Sequence, residues 1–93
     1  MTQTEDTIVR LSGRLTMEAS IALFNKGLSV EDGAGEVVVD FAQVEAVDSS
    51  AVSLMLAWLR AAQRRNVKIS FVNIPANLLS LTELYGVAES LRV

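Results

Sequence analysis

Apolar positions along the chain switch between two spacings. From Thr7 to Leu15, Ile8, Val9 and Leu11 read as a strand, and Gly13 loosens the chain before the next element. Met1 to Glu5 suits a short edge strand paired with it, turning at Glu5-Asp6. Thr16 then sits as an N-cap, with Glu18 in the first helical turn. Met17, Ala19, Ile21, Ala22, Leu23, Phe24 and Leu28 supply the apolar positions of a helix reaching about Val30, which Glu31 to Gly35 breaks. Glu36 to Phe41 carries three successive valines, the pattern of a strand buried on both faces. After a short linker, Ala51, Leu54, Met55, Trp58, Leu59 and Ala62 recur at helical spacing from Ser50 to Arg65, and Val52, Leu56 and Ala57 widen that stripe. Val67 to Val72 reads as a third strand. Pro75 fits the first turn of a last helix carrying Leu78, Leu79, Leu81 and Leu84 and stopping at Gly86. Leu91 to Val93 forms a final edge strand or a tail.

Strand and helix therefore alternate three times, which predicts an α/β fold: a small mixed sheet with helices packed mainly on one face. No internal repeat or low-complexity linker divides the 93 residues, so one domain spans 1–93. A chain of this size buries roughly 60% of its unfolded surface, and 51% hydrophobic residues suffice for a core. In an open α/β sheet, sites lie beyond the carboxyl ends of the strands.

Composition narrows the chemistry. A net charge of −3 argues against nucleic-acid binding, which needs a basic face. Arg60, Arg64, Arg65 and Lys68 form one local basic cluster, suited to the last turn of a helix, where cations complement the dipole. With no cysteine there is no disulfide scaffold or thiolate site, and with no histidine the commonest general base and metal ligand are missing. Asp40 and Glu45 read as acids of a turn rather than as a metal pair. Neither a metal nor another cofactor is expected. No signal peptide or long apolar span appears, so the expected location is the cytoplasm.

The densest candidate chemistry is Asp48-Ser49-Ser50-Ala51, past the end of the valine strand and at the start of the long helix. Asp48 and Ser49 both suit a helix cap, and the first helical N–H groups also favour an anion or a docked partner. As a nucleophile Ser49 would need a base; only Lys26 and Lys68 remain, both in segments that read as solvated surface. The expectation is a protein that is not an enzyme. Trp58 suits core and partner contact equally. The leucines of the last helix read as core, while Asn77, Leu81 and Tyr85 border a docking face.

Leu11-Ser12-Gly13-Arg14-Leu15, Val38-Val39-Asp40-Phe41, Val47-Asp48-Ser49-Ser50 and Val67-Lys68-Ile69-Ser70-Phe71-Val72 together resemble the STAS domain over nearly the whole chain. The tail from Leu78 to Val87 is similar to that of the branch that serves the Mla phospholipid transporter. Resemblance to that branch implies an accessory subunit that binds the cytoplasmic ATPase of a phospholipid ABC system and helps to maintain outer-membrane lipid asymmetry. It would reach the inner membrane only through that partner, with Asp48, Ser49, Ser50, Ala51 and Trp58 as partner-binding residues. The more distant anti-sigma-factor antagonists imply instead a switch in which a serine kinase phosphorylates Ser49. Ala51 and Val52 stand where most relatives have glycine, and Thr16 where antagonists tend to have aspartate; both differences favour docking over phosphorylation. A nucleotide-binding STAS module is the third reading, though the chain has no G-x-x-x-x-G-K-[ST] loop.

Overall fold

A computed structural model describes residues 7–26 and 35–93. Its order is β1 (Thr7–Leu15), α1 (Met17–Lys26), β2 (Glu36–Val47), α2 (Ser50–Arg64), β3 (Lys68–Val72), α3 (Ala76–Leu84) and α4 (Ala88–Leu91). The strands lie in the order β1-β2-β3, and both pairings are parallel. Right-handed crossovers that advance in one direction place their helices on one face of a sheet. Consistent with this, α1 packs against α2, and α2 against α3 and α4, in a single layer. The edge strand expected at Met1 to Glu5, its turn at Glu5-Asp6, the end of the first helix near Val30 and most of its Glu31–Gly35 breaker lie outside the described residues.

Alternation along β2 decides where the core sits. Val37, Val39 and Phe41 point into the helix layer and are almost fully buried, while Val38 lies on the other face and is half-buried. The valine run is thus buried on one face rather than on both. Phe41 and Phe71 pack with ring centroids 6.3 Å apart and planes tilted by 53°. Leu11 and Leu15 of β1, Leu54, Met55 and Trp58 of α2, Leu78 of α3 and Leu91 of α4 complete the cluster. Leu91 closes this core as the last residue of a helix, which replaces the expected terminal strand or tail.

β2 runs six residues beyond the valine-rich segment, through the stretch read from sequence as a linker. Its pairing with β1 shifts register between Arg10 and Ser12 and again between Gly13 and Arg14. Two β2 residues, Ala42 and Glu45, are therefore extra, and such bulges bend a strand locally. Asp40 Oδ1 accepts the Ala42 N–H at 2.8 Å and the Asn73 amide at 3.0 Å, bracing the first shift. Those hydrogen bonds, with Arg10 adding attraction, hold the Asp40 carboxyl below the usual carboxylate range. Asp40 and Glu45 are consequently strand residues, not turn residues. Gly13 takes φ +76° beside the second shift, a value open to glycine at little cost.

α2 and α3 end alike. Val67 N–H reaches back to Ala62 O at 2.9 Å with Asn66 at φ 57°, and Val87 N–H to Thr82 O at 2.9 Å with Gly86 at φ 70°. Both are left-handed caps that satisfy the last carbonyls. The second fixes Tyr85 and Val87 at the end of α3.

Candidate functional site

Asp48 follows β2 and joins two helix starts. Its Oδ1 accepts the Ser50 N–H at 2.9 Å and the Ser50 hydroxyl, and its Oδ2 accepts the Met17 N–H at 3.2 Å. One carboxylate thus serves donors at the N-termini of both α1 and α2, where the helix dipoles favour negative charge. The Ser50 hydroxyl bond is the largest cause holding Asp48 below the usual carboxylate range, followed by the two backbone N–H bonds. With its one proton given to Asp48, Ser50 Oγ accepts the Ser20 hydroxyl at 3.1 Å. Ser20 is buried, so this bond turns that side of α1 toward α2.

The rotation corrects the expected helix face. Met17 and Ile21, read as apolar positions of the helix, are 64% and 55% exposed, while Leu23 packs against the core. A shallow open groove of about 430 Å³ runs beside Met17, bounded by Ser49, Ser53 and Leu56 of the α2 segment and by Tyr85 and Val87 at the end of α3. Tyr85 is 52% exposed and Leu84 76%. The groove is therefore apolar along its sides, with serine hydroxyls spaced along α2.

Each residue of the sequence motif has a distinct place. Ser49 is exposed at the groove and its side chain makes no capping hydrogen bond; the cap that the sequence shared between Asp48 and Ser49 is made by Asp48. Ser50 lines the groove and bonds inward. Ala51 is fully buried, and Trp58 is 4% exposed within the core. Neither offers its side chain to a partner, because both fall on the α2 face turned to the sheet. The Trp58 N–H has no hydrogen-bond partner among the described residues. Tyr85 borders the groove; Leu81 and Asn77 do not line it. The sequence reading missed Met17, Ser53, Leu56 and Val87. Part of the signal was available, since Ser49, Ser53 and Leu56 recur at i, i+4 and i+7 on one side of α2.

Among the described residues, no group of three histidine, cysteine, aspartate or glutamate side chains is placed to hold a metal ion. No helix among them is long and apolar enough to cross a membrane.

The family model described as "Mlab, STAS domain" matches residues 2–93. The chain belongs to the STAS domain family. Among solved structures, it resembles a sulfate transporter family protein from Wolinella succinogenes, with TM-score 0.75 and 13% identity over 92% of this chain and 70% of that one. It also resembles the anti-sigma factor antagonist SpoIIAA in its unphosphorylated form, with TM-score 0.65 and 21% identity over 96% of this chain and 79% of that one. At these identities the likeness establishes the STAS fold. Comparison with curated protein sequences gives no match. STAS domains are in general accessory or regulatory modules that act through protein contacts.

Proposed function

We propose that this STAS domain is a non-enzymatic accessory subunit that docks on the cytoplasmic ATPase of a phospholipid-transporting ABC system through the groove beside Ser49. The observation that carries the reading is the exposed apolar border of that groove, where Met17 and Tyr85 are both more than half exposed. Exposed large side chains clustered around one groove mark a contact surface more often than chance. The MlaB-type family match supports the ABC partner over other STAS partners.

A phosphorylation switch at Ser49, as in an antagonist, is the second reading, and likeness to SpoIIAA gives it standing. Geometry at the motif weighs against it. Asp48 already occupies the Met17 and Ser50 N–H groups that a phosphate on Ser49 would seek, and its charge opposes a second anion beside it.

Affinity capture from native extract, with identification by mass spectrometry, tests the choice. An ABC ATPase is expected, and the exposed-site variant Tyr85→Arg should lose it while melting like the parent. Recovery of a serine kinase, with no ATPase, would establish the antagonist reading instead.

A further inference from the structure

The opposite end of the molecule holds a second groove, of about 300 Å³. β3 is the terminal strand of the sheet among the described residues, paired only to β2. A strand at such an edge presents a row of backbone N–H and C=O groups without a ladder partner. The groove draws on both faces of β3: Ile69 comes from the face turned to the helices, Lys68 and Ser70 from the other. A channel that follows the open edge of a strand has that composition. Leu59 and Leu91 make it apolar on the helix side, and its charged lining is Lys68, Arg92 and one carboxylate, Glu36, which accepts the Ser70 hydroxyl at 2.8 Å. Arg92 holds φ 58° at the end of α4, a conformation that glycine adopts freely and arginine does not.

We propose that this edge binds an extended, acidic peptide segment of a partner by strand addition. The bare strand selects an extended backbone, because only that geometry completes the ladder. Leu59, Ile69 and Leu91 take apolar side chains on one side of the added strand. Lys68 and Arg92 outnumber the single, Ser70-bonded carboxylate of Glu36 in the lining and select carboxylates on a chain whose net charge is −3. Period-two alternation of apolar and acidic residues follows from the two faces. The site stands at the far end of α2 from Ser49 and does not rest on the ATPase reading.

The test titrates the full chain, labelled for amide NMR, with a blocked hexapeptide of alternating valine and aspartate. Shifts should be confined to Lys68–Val72 and Ser90–Arg92, and β3 amides should exchange more slowly with solvent. The double variant Lys68→Glu, Arg92→Glu should melt like the parent and bind the peptide roughly tenfold more weakly. It should in turn accept a valine–lysine hexapeptide that the parent refuses. Shifts at Ser49 and Tyr85 instead, absence of any shift, or unchanged affinity in the double variant would overturn the proposal. So would phosphatidylglycerol vesicles that move the same amides when the peptide does not, since the basic end would then face a membrane.

Discussion

Ser49 separates two explanations of the motif, because stability and docking respond to it differently. If its hydroxyl capped α2, Ser49→Ala would cost about 0.5–2 kcal/mol. For a domain of this length, each kcal/mol moves Tm by roughly 4–8 °C, so a lost cap would be plain in a melting curve. The side chain, however, makes no cap hydrogen bond and is exposed, and the helix donors are served by Asp48. Ser49→Ala should therefore stay within about 0.5 kcal/mol of the parent, the usual span for surface changes. Ser49→Glu should also fold normally: the helix N-terminus welcomes the charge and Asp48 opposes it, two surface terms of similar size. Binding should part the two variants. A glutamate at the groove would carry its charge into an apolar contact, and affinity for the purified ATPase should fall tenfold or more, on the order of 1.4 kcal/mol. Ser49→Ala should bind nearly as the parent does. Scanning calorimetry paired with titration calorimetry reads both quantities. A drop of more than about 1 kcal/mol in Ser49→Ala would restore the hydroxyl as a cap. Undiminished affinity in Ser49→Glu would place the interface elsewhere.

Two further outcomes follow from the same geometry. Asp48 has a lowered pKa in the folded chain, so its stabilising effect is complete above its unfolded pKa near 4 and is lost as pH falls through the folded value. The stability gap between the parent and Asp48→Asn, measured by urea unfolding, should thus be largest at neutral pH and shrink as pH falls below the unfolded carboxylate range; a gap constant from neutral to acid would refute the linkage. Gly86→Ala meets no neighbouring atom within 4 Å and is penalised only by φ +70°. It should lower stability by about 1 kcal/mol, and a Tm equal to the parent's would show that α3 can end another way.

Periodicity made the helix–strand order legible because each element carries its own apolar spacing, but it could not say which apolar residues would stay exposed. Met17 and Ile21 read simply as apolar helix positions for that reason. The side of α1 turned to α2 carries Ser20 instead, buried and bonded to Ser50, a contact between residues 30 apart in sequence. The length of β2 was lost differently. Ala42, Val44 and Ala46 do alternate with Gln43 and Glu45, yet the segment lacks the β-branched density that announced Val37 to Val39. Pairing with β1, not propensity, makes it a strand. At the site, Asp48-Ser49 was visible as a motif, while the division of labour between the two residues needed coordinates. Trp58 and Ala51 fell on the wrong side of α2 for contact because the helix-wide apolar surplus gave sequence no means to choose a face.

That surplus also leaves part of α2 outside the core, on the side where docking is proposed. α2 is apolar around most of its circumference, and the sheet consumes one side of it: Ala51, Leu54, Met55 and Trp58 are nearly fully buried. Leu56, on another side, is left to line the groove with Ser49 and Ser53. Serines there keep the unbound helix wetted and still allow a partner's backbone close approach, since their side chains are small. Larger polar residues would solubilise the helix equally well but would hold the partner off. The inward anchors and the outward hydroxyls thus occupy one helix without competing, and the carboxylate of Asp48, bonded to the starts of both α1 and α2, fixes Met17 across from them. On the docking reading proposed above, a partner at this groove meets a preassembled surface, and the ordering cost of binding falls mainly on the exposed side chains of Met17 and Tyr85.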